Sequence, residues 1–220
     1  MRMLRGSNRM RITDVVEVSK ARYKISLDHT VAFVLYKGDL SVYQIRVGNE
    51  LREEQYREIL DQVLDKRAKL RALNLLKARP YTEYCLRRKL REGFYPEEII
   101  DRAIEYVKQF RYVDDARYCM DYIEYHQATE SRRRMRQKMQ EKGISGELFD
   151  HVYSCIPETY EEPERIQIEA FLSKRHYSEC MDAKEKNKLM QSLLRKGYPF
   201  ELIRRCMKIS GEEFRNSDME

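Results

Sequence analysis

The sequence has little of what most enzymes need at their active sites. Only eight glycines occur in 220 residues, and none falls in GxGxxG, GxxxxGK[ST] or GxSxG, the motifs of dinucleotide-binding proteins, P-loop proteins and serine hydrolases. The four histidines are scattered and form neither HExxH nor a Cys/His cluster. We therefore predict a protein that is not an enzyme, with no cofactor and no metal.

Long apolar runs are also absent. No stretch approaches the roughly 20 apolar residues of a membrane span, and the basic start MRMLRGSNRMR is not followed by the apolar run of a signal peptide. The cysteine count is odd, and no pair forms CxxC. This pattern favours reduced, mostly buried thiols in a cytoplasmic protein without membrane contact. The cysteines are Cys85, Cys119, Cys155, Cys180 and Cys206.

Charge, by contrast, is abundant. Charged residues make up 36% of the chain, and 43 basic against 37 acidic residues give a net charge of +6. Recurring Leu, Ile, Met and Tyr argue against disorder. The mild basic excess is compatible with nucleic acid or an acidic protein surface as partner.

The N-terminal part shows period-two alternation. After an expected flexible tail at 1–12, residues 13–48 predict three or four short antiparallel strands, the last near 42–47. Asn49 is expected to cap a helix that continues, with a break near 65–67, until just before Pro80.

The remainder repeats one pattern three times: two apolar residues four apart, basic residues, a glycine, a cap or proline, and a short helix. The pairs are Leu86/Leu90, Met135/Met139 and Leu189/Leu193. We predict a mostly α protein of three tandem three-helix repeats in an elongated, curved body. Its expected segments are 49–110 (linking helix and first repeat), 111–156 (second repeat), 157–163 (linker), 164–210 (third repeat) and 211–220 (flexible tail).

Basic residues recur at the same place in each repeat. They are either solvated helix faces neutralised by nearby glutamates or, if stacking aligns them, one basic track that contacts phosphates or acidic protein. The candidates are Arg87, Arg88, Lys89, Arg91, Arg132, Arg133, Arg134, Arg136, Lys138, Lys142, Arg195 and Lys196.

Two further groups of residues favour structural roles. The acidic pair Asp114 and Asp115 suits a helix start, where carboxylates oppose the dipole, better than a metal site. Tyr118, Tyr122 and Tyr125 lie at helical spacing, which favours packing over base stacking.

Three motifs resemble the RecX family of bacterial recombination regulators. They are ALNLLKARPYTEYCLRRKL at Ala72–Leu90, YVDDARY at Tyr112–Tyr118, and the basic helix ending MQEKGI at Met139–Ile144. The N-terminal strands resemble the extension found in members from Firmicutes-like bacteria.

The resemblance implies tandem three-helix repeats that bind the RecA filament and modulate, usually inhibit, its ATPase and strand exchange. It also implies possible contact with single- and double-stranded DNA, and we expect a monomer. Two other interpretations of the residues stay open: a DNA-binding architectural or regulatory protein that acts without RecA, and a helical scaffold that binds neither.

Overall fold

The computed structural model describes residues 9–156 and 163–208. The chain divides into two compact units, Met1–Asp114 and Asp115–Glu220. Most of the tail predicted over 1–12, most of the linker predicted over 157–163, and the whole tail predicted over 211–220 lie outside the described residues.

The first unit begins with a four-stranded antiparallel sheet in the order β3-β2-β1-β4. Its strands are β1 (Arg9–Ser19), β2 (Arg22–Leu27), β3 (Thr30–Tyr36) and β4 (Glu50–Arg52). One face of the sheet buries apolar side chains such as Ile25 and Phe33, which share a core with the helices of the first repeat. This sharing gives the sheet the packing partner that so small a sheet requires.

The prediction of a strand near 42–47 is wrong. A short helix, α1 (Lys37–Val42), ends at the start of this segment, and the residues after it form turns. Asp39 accepts a hydrogen bond from the backbone N–H of Tyr36 at 2.8 Å and pairs with Arg67 at 2.6 Å. Val42 and Val47 are 74% and 62% exposed. The alternation of apolar residues here therefore does not mark a buried face, and local capping decides the backbone.

The fourth strand of the sheet is instead β4 (Glu50–Arg52), which was expected to belong to the following helix. Arg9, Met10 and Arg11 pair with Arg52, Leu51 and Glu50, so the prediction of a tail fails for residues 9–12. Asn49 is not a helix cap, since its side-chain amide donates to the carbonyl of Gln44 at 3.0 Å. The helix starts four residues later, at Glu53.

A long helical stretch connects the sheet to the first repeat. It comprises α2 (Glu53–Glu58), a π-helical turn (Ile59–Leu64) and α3 (Asp65–Ala78). The irregular turn thus lies just before the break that was predicted near 65–67.

Three repeats of three helices follow the predicted order. The first unit completes its repeat with α4 (Glu83–Arg91) and α5 (Glu97–Gln109). The second unit holds α6 (Asp115–His126), α7 (Arg132–Glu141) and α8 (Gly146–Ser154), then α9 (Pro163–Lys174), α10 (Ala183–Arg195) and α11 (Phe200–Met207). The three predicted caps are confirmed, because each side chain accepts a hydrogen bond from the backbone N–H of the residue three positions later. They are Thr82, Ser145 and Asp182.

The predicted apolar pairs are buried in the first two repeats, as Leu86/Leu90 and Met135/Met139. In the third repeat the prediction is wrong by one position, because Met190 rather than Leu189 is buried together with Leu193. The residue that takes a left-handed conformation after the middle helix also differs between the repeats. Gly143 and Gly197 have φ of +83° and +91°, whereas Phe94 takes the left-handed conformation in the first repeat, one residue after Gly93.

Candidate interaction surface

The basic residues of α7 divide into a paired group and an unpaired group. Arg132 and Arg136 both bind Asp150 on α8, at 2.8 and 3.1 Å, and Lys138 binds Glu130 at 2.6 Å. Arg132 also covers the ring of Tyr153 at 4.6 Å. These cations are held by their own repeat, as the neutralised-face interpretation expects.

Arg133 and Arg134 are exposed and form no side-chain hydrogen bond or ion pair with any residue that the structure describes. The same is true, within the described ranges, of Arg195 at the end of α10. All three line a groove of about 600 Å³ between α7 and α10, together with Lys138, Lys196 and Gly197. We call it the α7–α10 groove. It brings together residues of two of the basic runs that were predicted from the sequence, those of the second and third repeats.

A buried serine joins the two repeats beside this groove. Ser131, 1% exposed, accepts from the N–H of Arg134 at 3.3 Å as the cap of α7, and its hydroxyl donates to the carbonyl of Lys196 at 2.7 Å. A Cβ on Gly197 would lie 2.7 Å from the Ser131 hydroxyl. Gly197 thus permits the close approach of the N-terminus of α7 to the end of α10.

Further polar contacts fix the same junction. The side-chain amide of Gln167 donates to the carbonyl of Gln127 at 2.6 Å, and its oxygen accepts from Tyr198 at 2.7 Å. The N–H of Arg132 donates to Glu164 at 2.8 Å. The second and third repeats are therefore joined by hydrogen bonds as well as by the fold of the chain.

Electrostatics agree with this division of cations. Hydrogen bonds from Arg132 and Arg136 lower the pKa of Asp150. Burial alone would raise the pKa of Glu130, but the hydrogen bond and charge of Lys138, with the charges of His126 and Arg134, lower it overall. Both carboxyls are therefore ionised and hold their cations at neutral pH.

The first repeat differs, because nearly all its candidate cations are paired. Arg87 binds Glu83 and Asp101 at 2.8 and 2.5 Å. Lys89 binds Glu92 at 2.6 Å, and Arg91 binds Glu97 at 2.5 Å. Arg88 alone of these candidates forms no ion pair with a described residue. A single track through all three repeats remains a prediction.

The remaining candidates from the sequence lie at the start of a helix or against neighbouring side chains. Asp115 is the first residue of α6, as the helix-start interpretation of Asp114 and Asp115 expects. Burial, with the charge of Asp115, raises the pKa of Cys119 to about 11. Lys142 lies 5.8 Å from the ring centre of Tyr118. In the described ranges no group of three or more His, Cys, Asp or Glu side chains is arranged to hold a metal ion.

Two expectations need correction. Tyr118 and Tyr122 pack against the core of the second repeat, but Tyr125 is 81% exposed, because it falls on the outer side of α6. Only Cys119 is fully buried, whereas Cys155 and Cys180 are exposed. Sequence reasoning also missed Ser131, although a serine directly before an amphipathic run is a recognisable cap.

No helix in the part of the chain that the structure describes is both long and apolar enough to cross a bilayer.

Comparison with known proteins matches each repeat separately. Residues 68–106 match the RecX first three-helix domain, 114–152 the second and 167–207 the third. A regulatory protein RecX from Caldanaerobacter subterraneus subsp. tengcongensis is 28% identical over 203 residues, 91% of this chain and 100% of its own. One from Clostridioides difficile is 26% identical over 84% of this chain and 88% of its own.

Solved structures show the same fold. A crystal structure of regulatory protein RecX has a TM-score of 0.60 at 24% identity and covers 90% of this chain and 98% of its own. The crystal structure of RecX from Lactobacillus salivarius has a TM-score of 0.57 at 20% identity, and covers 66% of this chain and 95% of its own. Because the three domain matches follow in order and together span more than half of the residues, the chain belongs to the RecX family of non-enzymatic regulatory proteins.

Proposed function

We propose that this protein binds the RecA–DNA filament and lowers its ATPase and strand-exchange activities, with the α7–α10 groove as the main contact. RecX proteins are regulators of RecA, which supports the choice of partner. The observation that carries the choice of surface is the convergence of Arg133, Arg134 and Arg195 in one groove, without ion pairs to other described residues.

The unpaired arginines are suited to an acidic or phosphate-bearing surface. A cation that already has a carboxylate partner gains little from a second anion, whereas an exposed, unpaired guanidinium offers its full charge and a fork of donors. The anion in the filament is either a DNA phosphate or a carboxylate of RecA. Weak contacts at more than one repeat would add through multivalency.

Two routes lead from binding to inhibition. The protein either occupies the place of the second DNA strand or restricts the movement of RecA protomers that accompanies ATP turnover. The first route lowers strand exchange more than single-strand-dependent ATPase. The second lowers both together, so measuring both activities in one titration separates the routes.

The test is RecA ATPase on single-stranded DNA, titrated with the native protein and with Arg133→Ala/Arg134→Ala/Arg195→Ala. We expect the triple variant to require about tenfold more protein for half-inhibition, since the loss of about 1.4 kcal/mol in binding corresponds to a factor of ten. The matched control is Arg87→Ala/Arg132→Ala/Arg136→Ala, three arginines that do not line the groove. It removes the same charge from residues already paired within their repeat.

Equal loss in both variants would contradict the importance of the unpaired groove, while inhibition itself would still support RecA as the target. If the native protein binds bare DNA but leaves RecA turnover unchanged, it acts as a DNA-binding protein independent of RecA. Salt gives a second distinction. Affinity that depends on phosphates alone falls steeply between 50 and 200 mM salt, by roughly 10³-fold or more for six or more phosphate contacts. A complex that includes protein–protein contacts persists better.

A further inference from the structure

The first unit contains a second groove, to which the first basic run contributes only Lys89. It has a volume of about 570 Å³ and lies where β2 begins and β3 ends, beside α3 and the turn before α4. Arg22 and Tyr36 are paired across the two strands. The lining residues used below are Arg22, Tyr36, Arg71, Arg79, Tyr81 and Tyr95, and we call this the sheet groove.

Guanidinium groups converge in the sheet groove. Arg22 and Arg71 form no ion pair with any residue in the described ranges. Burial raises the pKa of Tyr95, and Tyr36 raises it further, while the charges of Arg22, Arg67 and Arg71 lower it. Tyr36 and Tyr95 share the lining of the groove with Arg22 and Arg71. An anion bound there would meet several hydrogen-bond donors. The groove is also lined by the carboxylate of Glu92, which is paired with Lys89 at 2.6 Å.

Aromatic rings line the same groove. Arg79 lies 4.7 Å from the ring centre of Tyr81, and Arg67 lies 4.6 Å from that of Tyr36. Tyr36 is exposed and Tyr81 is half-buried. A ring bearing a cation on one face remains a stacking surface on the other, and a planar base placed on it would be next to the guanidinium groups.

We propose that the sheet groove binds single-stranded nucleic acid, with phosphate groups at Arg22 and Arg71 and a base stacked on Tyr36 or Tyr81. This inference does not depend on the proposed action on RecA, because it concerns a different surface in a different unit.

A single strand fits the lining better than a free nucleotide or a duplex does. Sites for small molecules bury most of their ligand and are lined mainly by apolar side chains, whereas half of the residues in this lining are charged and none is fully buried. A duplex offers phosphates but keeps the faces of its bases stacked inside. An unpaired strand, unlike a mononucleotide or a duplex, brings several phosphates and free base faces together.

The experiment measures binding of a fluorescent 12-nucleotide oligo-dT by anisotropy. The host protein is the full chain carrying Arg133→Ala/Arg134→Ala/Arg195→Ala, so that the α7–α10 groove does not contribute. Adding Arg22→Ala/Arg71→Ala is expected to weaken binding about tenfold or more. It should also reduce the slope of log affinity against log salt by about 1.4, because each phosphate contact on a single strand contributes about 0.7.

Matched variants keep the test specific. Arg46→Ala/Lys66→Ala removes the same charge from exposed positions of the same unit outside the groove and should leave affinity and slope nearly unchanged. Tyr81→Leu keeps apolar bulk but removes the ring, and should weaken binding at least about fivefold without changing the salt slope. Light-induced crosslinking of an oligonucleotide containing 5-iododeoxyuridine should label peptides containing Tyr36 or Tyr81.

Several results would overturn the proposal. They are no oligo-dT binding by the host protein, equal losses in the groove and control variants, or crosslinks confined to residues beyond 114. Competition by dTMP as strong as that of the oligonucleotide would point to a nucleotide pocket instead. An equal affinity for a 12-base-pair duplex, lost equally in the groove variant, would show that bases take no part.

Discussion

The helices α4 and α7 occupy the same place in two successive repeats, yet they use their basic residues differently. On α4, Arg87, Lys89 and Arg91 each bind a carboxylate of their own repeat. On α7, Arg133 and Arg134 remain unpaired among the described residues and face a groove that α10 completes. The number of arginines on a helix therefore does not identify a binding surface. The position of nearby acids decides which cations are available to a partner.

The largest expected difference between these helices is in the free energy of unfolding that is lost when a core residue of each is replaced by alanine. Leu86 of α4 belongs to a core that runs from the sheet through α5, whereas Met135 of α7 belongs to a smaller core confined to α6–α8 and the residues just after it. Leu86→Ala should cost about 4 kcal/mol in the free energy of unfolding, since a well-supported core collapses little around the cavity. Met135→Ala should cost about 2 kcal/mol, because flexible neighbours such as Met139 fill part of the space.

Hydrogen exchange of the amides in α4 and α7, measured by mass spectrometry, reports each core separately. The control is Leu86→Met, which conserves volume and should cost less than about 1.5 kcal/mol. A larger loss from Met135→Ala than from Leu86→Ala would contradict the ranking of the two cores.

The next effect concerns the residue that lets α7 approach α10. Gly197 and Gly48 have nearly the same φ, +91° and +90°, but only at Gly197 would a Cβ meet neighbouring atoms, including Arg133 Cβ at 3.3 Å. Gly48→Ala should therefore cost about 1 kcal/mol from backbone strain alone. Gly197→Ala should cost about 2 kcal/mol, because Ser131 and Arg133 must also shift.

Urea unfolding followed by circular dichroism gives both values. Equal costs at the two glycines would show that the junction between α7 and α10 yields without strain. If the shift does occur, Gly197→Ala should also weaken inhibition of RecA, whereas Gly48→Ala should not.

Much of this molecule was predictable from local patterns. Thr82, Ser145 and Asp182 were recognisable as caps because a cap acts on the amide three residues ahead. Leu86/Leu90 and Met135/Met139 were recognisable because residues four apart share a helix face. The prediction failed where a local interaction competed with the pattern, as where Asp39 turns the segment after β3 into a helix.

The state of the basic residues was not predictable, because it depends on contacts distant in sequence. Arg132 finds Asp150 eighteen residues away, and Ser131 meets the carbonyl of Lys196 sixty-five residues away. No periodicity in the chain encodes such pairings. The sheet groove escaped prediction for the same reason, since Arg22, Arg71 and Tyr81 come from three separate elements.

The smallest expected effect is the pH dependence of the stability that comes from the glutamate–lysine pairs of the two helices. Glu83, the first residue of α4, and Glu130, just before α7, both have a pKa below the ordinary value of 4.5. Their hydrogen-bond donors are Lys108 and Lys138. A carboxyl whose pKa is lower in the folded state stabilises the fold fully above the unfolded pKa. That contribution is lost as the pH falls through the folded value.

The side chain of Glu130 is 14% exposed and that of Lys138 is 35% exposed. Because solvent screens the lysine, we expect the pair to contribute no more than about 1 kcal/mol at pH 7. Glu130→Gln should therefore lower stability at pH 7, but have little effect once the pH is well below 4. Urea unfolding at both pH values measures this, with the exposed Glu124→Gln as control. The substitution also frees Lys138 within the α7–α10 groove, so inhibition of RecA should strengthen at neutral pH. Unchanged inhibition, with the loss of stability present, would show that Lys138 does not contact the filament and that the unpaired arginines act without it.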